Sequence, residues 1–130
     1  MKNDRRVVVC LVEDDNGDLL YGKRNDTKKY CLPAGRLKIK ESPIEGACRE
    51  FREETGLEAQ KVELVKIEYI SKKRLMIYLF KITDYTGDID LSQDPDKEFS
   101  VVEFRNPMDI IDEMKVPLKE DIALRYYSEN

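Results

Sequence analysis

The stretch from Gly35 to Leu57, GRLKIKESPIEGACREFREETGL, constrains this chain more than any other. Ser42 is placed to cap a helix, and Pro43 occupies a first-turn position where its missing N–H costs nothing. Glu45, at the third helical position, completes a capping box. Gly56 supplies the stop, because a residue without a Cβ takes the left-handed closing conformation at least cost. Between these marks Ile44, Ala47, Cys48, Phe51 and Thr55 recur at helical spacing and form one mostly apolar stripe.

At roughly 100° per residue, Glu50, Glu53 and Glu54 fall together on an adjacent face. Like charges three and four residues apart cost a few tenths of a kcal/mol each when exposed, and more as the site dries out. They also lie in the second half of the helix, where the macrodipole disfavours anions. A divalent cation reverses all of these signs. Oxygen ligands without sulfur or imidazole suit a hard ion, Mg²⁺ first and Mn²⁺ second. Gly46, one turn before Glu50, leaves room for something to approach the backbone. The alternative is a solvated acidic face balanced by Arg49 and Arg52.

The stretch resembles the Nudix box, G-x5-E-x7-R-E-U-x-E-E-x-G-U, with U a bulky aliphatic residue. Gly35, Glu41, Arg49, Glu50, Phe51, Glu53, Glu54, Gly56 and Leu57 stand in register, with Phe51 aromatic where an aliphatic residue is usual. The preceding Tyr30-Cys31-Leu32-Pro33-Ala34-Gly35 is similar to the aromatic-x-x-Pro-Gly-Gly lead-in of that family, with Ala34 replacing one glycine. The resemblance implies an α/β chain with the Nudix fold, a mixed, curved β-sheet sandwiched between helices. It makes Glu50 and Glu54 the leading metal ligands and Glu53 either a further ligand or the base that positions water. The carbonyl of Gly35 is a further candidate ligand, and Glu98 resembles the family's downstream glutamate, against the alternative of an exposed acid opening a strand. Arg49 and Glu41 are expected to act as an orienting pair that ties the loop to the helix.

The rest of the chain is expected to complete a single domain over residues 1–130, long enough to bury a core. Net charge is only −4 and the charges are mixed, which argues against a nucleic-acid surface driven by net charge. There is no histidine, and Cys10, Cys31 and Cys48 show no Cys-x-x-Cys spacing, so neither a zinc site nor a disulfide framework is suggested. A reducing cytoplasm is the expected compartment. The apolar run Val7 to Val12 is too short for a signal-peptide core or a membrane span.

Arg6 to Glu13 reads as a central strand and Leu19 to Arg24 as a second, with Asn16-Gly17 between them signalling a hairpin. A calcium loop starting at Asp14 would need glycine where Leu19 stands. Arg24 is either a strand-end basic residue aimed at substrate, as the family often has, or a surface arginine. Tyr30 either stacks on a base or covers the edge of the core. Val62 to Ile70 and Leu75 to Ile82 read as two strands joined by a basic turn, Ser71 to Arg74, which is either a polyphosphate contact or a solvated tip. Asp84 to Lys97 reads as an irregular acidic loop and Glu98 to Phe104 as a strand. Pro107 to Met114 and Pro117 to Tyr127 read as helices whose Ile110, Ile111, Met114, Ile122, Leu124 and Tyr126 cover the sheet.

The resemblance implies Mg²⁺-dependent hydrolysis of a phosphoanhydride bond in a nucleoside diphosphate linked to a moiety X. The partner is then a nucleotide-type small molecule, with no membrane or nucleic acid, and a monomer or homodimer is expected. Three alternatives stand beside it: a catalytically quiet Nudix domain that binds a nucleotide-like ligand, a prenyl-diphosphate isomerase, and a plain acidic interaction module. The isomerase needs further metal ligands, and the absence of histidine counts against it. The downstream signatures of ADP-ribose and dinucleoside polyphosphate enzymes are not matched, since Lys72, Lys73 and Leu75 occupy those places. Small size is the one link to the branch that attacks modified nucleoside triphosphates.

Overall fold

Strand β1 (Arg5–Val12) explains the layered architecture. Successive side chains of a strand point to opposite faces, so an unbroken apolar run demands a core on both. In the computed structural model, which describes residues 4–113, this is what occurs. Val9 and Leu11 join a core with Tyr21, Tyr30, Ile77 and Leu79. Val8, Cys10 and Val12 join a second with Ala47, Phe51, Phe80 and Ile82.

The remaining elements are β2 (Leu19–Arg24), β3 (Tyr30–Cys31), β4 (Ala34–Arg36), α1 (Pro43–Thr55), β5 (Glu58–Ile70), β6 (Leu75–Thr86) and β7 (Phe99–Arg105). One sheet runs β4-β1-β6-β5 and the other β3-β2-β7. The first is mixed: β1 is parallel to β6, whereas β4 and β5 run antiparallel to their neighbours. Register shifts between Ala59 and Lys61, Lys61 and Val62, and Leu64 and Lys66 bend the β5–β6 ladder.

Several elements differ from expectation. The Asp14–Asp18 turn forms, with the Asp14 carboxylate accepting the backbone N–H groups of Asn16 and Asp18, and Gly17 at φ 83°. It does not close a hairpin ladder. Beyond one Glu13–Leu19 bridge, β1 and β2 enter different sheets, because β4 and β6 already occupy both edges of β1. Asp84 to Thr86 extend β6 instead of opening the acidic loop, and Leu91–Gln93 form a 3-10 turn within it. Over Pro107 to Glu113 the expected α-helix is replaced by turns and a 3-10 turn at Ile111–Glu113, although Ile110 reaches the core. Met114 and the expected helix from Pro117 to Tyr127 lie outside the described residues.

Helix α1 obeys its sequence signals. Ser42 accepts the N–H of Glu45 while the Glu45 side chain accepts that of Ser42, and Gly56 closes the helix at φ 84°. Ala47, Phe51 and Thr55 are buried, whereas Ile44 and Cys48 sit at the margin of the stripe. The buried face is instead widened by Glu54.

Candidate active site

The cleft that matters forms where α1, β4 and the loop before β7 meet. It encloses about 460 Å³ and is lined by Glu50, Glu53 and Glu54 of the helix, Gly35 of β4, and Arg24 and Glu98 from the far side. Antiparallel pairing of Ala34–Arg36 with Val9–Val7 sets β4 against the sheet, so Gly35 faces the helix at its Glu50 level.

Glu54 is only 2% exposed, and its Oε1 accepts the N–H of Ala34 at 2.9 Å. It also stands in hydrogen-bonding contact with Glu50, whose carboxyl is raised above its ordinary range, chiefly by burial. Two carboxylates share such a contact only when a proton or a cation offsets their repulsion. A Cβ at Gly35 would fall on the Glu50 carboxylate, so glycine is what lets backbone and carboxylate meet.

Arg49 is the hub. Its Nε and Nη2 bind both oxygens of Glu41 at 2.7 and 3.0 Å, and Nη2 also donates to the Arg36 carbonyl at 3.1 Å. Nη1 reaches Glu50 at 3.1 Å and Glu53 at 3.2 Å. The bidentate bond to Arg49 is the main cause that holds the Glu41 carboxyl down to about 2, aided by the Lys38 N–H. The guanidinium itself is raised, again chiefly through Glu41. Arg49 thus links Glu41 of the loop to Glu50 and Glu53 of the helix.

Arg24 and Glu98 face each other across the mouth at 3.8 Å, but Arg24 is held mainly by Asp26 through two 2.9 Å bonds. Glu98 is fixed by a residue that sequence reading missed. Asp94, 6% exposed, accepts the N–H groups of Asp96 and Glu98 at 2.9 and 2.8 Å, and so shapes the loop that carries Glu98. The only sequence signal for it was its place among many acids.

Packing narrows two readings of the sequence. Tyr30 is 4% exposed and belongs to the core, edge-on to Tyr21, and does not line the cleft. Its hydroxyl donates to Glu103 at 2.9 Å, so this phenol is a structural anchor rather than a base-stacking platform. Gly46 makes room for the chain itself: a Cβ there would strike the Leu37 side chain and crowd Glu41.

Among the described residues no three acidic, cysteine or histidine side chains already stand together as a metal cage, since Arg49 holds Glu50 and Glu53. The donor chemistry nevertheless fits a hard divalent cation. It offers oxygen alone, one carboxylate deeply buried, a second raised by burial, and an adjoining backbone with no side chain in the way.

Fold and cleft together define a two-sheet α/β domain with a carboxylate-bearing helix against a glycine strand. A family model described as the NUDIX domain matches residues 3–126, and the chain belongs to the Nudix family. A bis(5'-nucleosyl)-tetraphosphatase of Mus musculus is 33% identical over 99 residues, covering 69% of this chain and 67% of that protein. A probable DHNTP pyrophosphohydrolase of Lactococcus lactis is 50% identical over 44 residues, which cover 33% of this chain and about a quarter (26%) of that relative's length. A NUDIX hydrolase structure from Nitrosomonas europaea superposes with a TM-score of 0.77 at 20% identity, covering 98% of this chain and 90% of that one. No helix among the described residues is long and apolar enough to cross a membrane.

Proposed function

We propose that this chain is a Nudix-type nucleotide pyrophosphohydrolase, cleaving a phosphoanhydride bond in a nucleoside diphosphate linked to a moiety X. Nucleoside triphosphates, modified or canonical, fall in this class and would release a nucleoside monophosphate and pyrophosphate. The observation that carries the reading is the buried contact between Glu50 and Glu54 at the base of a cleft that also holds Glu53 and Gly35. Pyrophosphohydrolase and tetraphosphatase names among the relatives support the substrate class.

Glu50 and Glu54, joined by Glu53, Glu98 and the Gly35 carbonyl, would hold Mg²⁺, with Mn²⁺ as the substitute. Such an ion supplies positive charge that offsets the phosphates and makes water more acidic. The chain does the rest. Arg49, braced by Glu41, fixes the rotamers of Glu50 and Glu53. Glu53, bound by Arg49 through Oε1, takes at its other oxygen the proton of the water that attacks phosphorus. The water oxygen forms the new P–O bond, the anhydride P–O bond breaks, and the leaving phosphate carries its electron pair away. Arg24 at the mouth contacts substrate once it exchanges Asp26 for phosphate.

The test is a panel assayed with Mg²⁺: canonical and oxidised nucleoside triphosphates, ADP-ribose, dinucleoside polyphosphates, nucleotide sugars and NADH, with Glu54→Gln as control. Turnover on one class, reduced at least about 100-fold in the variant, is expected. Silence on every substrate with nucleotide binding retained would replace the hydrolase by a binding domain. Full turnover in Glu54→Gln would remove Glu54 from the mechanism.

A further inference from the structure

Behind the loop from Arg36 to Lys40 lies a second hollow of about 560 Å³, within the range of small-molecule clefts. Arg5, Arg6, Arg36, Lys38 and Lys40 line it. None of these five is in an ion pair with another described residue. The one acid in the wall among the described residues, Asp4, pairs with Arg74 at 3.0 Å and takes a bond from the Tyr69 hydroxyl. Among the described residues the Arg5 and Arg6 side chains hydrogen-bond backbone carbonyls, those of Lys73 and Glu41, and no carboxylate.

A chain of net charge −4 has no general reason to gather in one concavity five cations that form no ion pair among the described residues. Like charges so placed repel, and a concave wall focuses their field on whatever anion enters. Three are arginines, whose planar forks match phosphate oxygens in pairs. Arg36 and Lys38 line both this hollow and the glutamate cleft, so the two share a wall.

We propose that the hollow is an accessory subsite for phosphate groups of the substrate that lie beyond the anhydride being cleaved. The proposal rests on the pyrophosphohydrolase reading for its substrate, but not for its charge. A phosphate chain is favoured over single-stranded nucleic acid because the apolar part of the wall is Leu37, Ile39 and Met76, with no aromatic ring among the described residues on which a base could stack.

The test removes two cations that line only the hollow, in the variant Arg5→Gln with Lys40→Gln. In metal-free buffer at low salt, calorimetric titration with inorganic tripolyphosphate should show binding to the wild type that is weakened about tenfold in the double variant. Glu54→Gln should bind tripolyphosphate as the wild type does, which places the anion outside the glutamate cleft. With nucleotides of one base and increasing phosphate number, the double variant should lose the KM advantage of the longer chain and keep its kcat. Unchanged tripolyphosphate affinity in the double variant overturns the proposal. So does equal affinity of the wild type for an oligonucleotide lacking terminal phosphates, which would make the hollow a nucleic-acid contact. If no nucleotide is hydrolysed while tripolyphosphate binding still falls in the double variant, the hydrolase reading fails and the anion subsite stands.

Discussion

At the scale of single residues, Glu41 shows how one loop carboxylate can fix the guanidinium that holds two helix glutamates. Its two oxygens take the Nε and Nη2 of Arg49, and without them that guanidinium would have only carboxylates of the cleft and one carbonyl to satisfy. Glu41→Gln retains one acceptor but loses the charge, and should cost about 2 kcal/mol at pH 7, the scale of a hydrogen bond to a charged group. The pH dependence carries a definite sign. The folded carboxyl sits at about 2, below its ordinary 4.5, so the folded state binds fewer protons than the unfolded one between those values. Its stabilisation is therefore complete above about 4.5 and is lost as pH falls towards 2. Urea midpoints of wild type and Glu41→Gln should differ at pH 7 and converge near pH 2.5. A gap that stays constant over that range would mean the ion pair does not stabilise the fold.

At the scale of elements, helix α1 was legible to its caps because capping is local chemistry. Ser42, Pro43, Glu45 and Gly56 each act within one turn of their own position. What local chemistry could not reveal is partner choice. The Asn16-Gly17 turn was readable, but the divergence of β1 and β2 depends on β4 and β6, which are distant in sequence. Tyr30 was ambiguous for the same reason: its hydroxyl is claimed by Glu103, far along the chain. Gly46 was seen as an opening, but only packing shows that Leu37 fills it. The two caps of α1 also differ in what lies beyond them. Ser42→Ala should cost about 1 kcal/mol, the ordinary loss of a cap. Gly56→Ala should cost more, about 2–3 kcal/mol, because Ala must adopt φ 84° and its Cβ would approach the Asp90 N and O atoms at 2.6 and 2.8 Å. Asp90 opens the segment that leads to Asp94 and Glu98, so the same change should also lower turnover, while Ser42→Ala should not. Equal unfolding free energies for the two variants would show that the helix end is not tied to that loop.

At the scale of the whole molecule, stability and the proposed catalysis compete for the same buried carboxylates. Folding places Glu54 at 2% exposure against Glu50, and both lie near the C-terminal half of a helix whose dipole disfavours anions. The fold accepts that cost around a site suited to a cation, so binding of Mg²⁺ should report as stability. At about a hundredfold excess over Kd, a ligand of the folded state adds about 2.7 kcal/mol. For a chain of 130 residues this corresponds to a rise in Tm of roughly 8–12 °C. Glu54→Gln reverses the balance. The glutamine oxygen can still accept the Ala34 N–H, its amide can donate to Glu50, and one buried negative charge disappears. In EDTA the variant should therefore melt a few degrees above the wild type, and with Mg²⁺ it should gain little, so that the order of the two proteins inverts. Thermal melts of both proteins across a Mg²⁺ titration measure this directly. A lower melting temperature for Glu54→Gln in EDTA would mean that the buried carboxylate stabilises the fold by itself, and an equal Mg²⁺ response in both would place the cation away from Glu54.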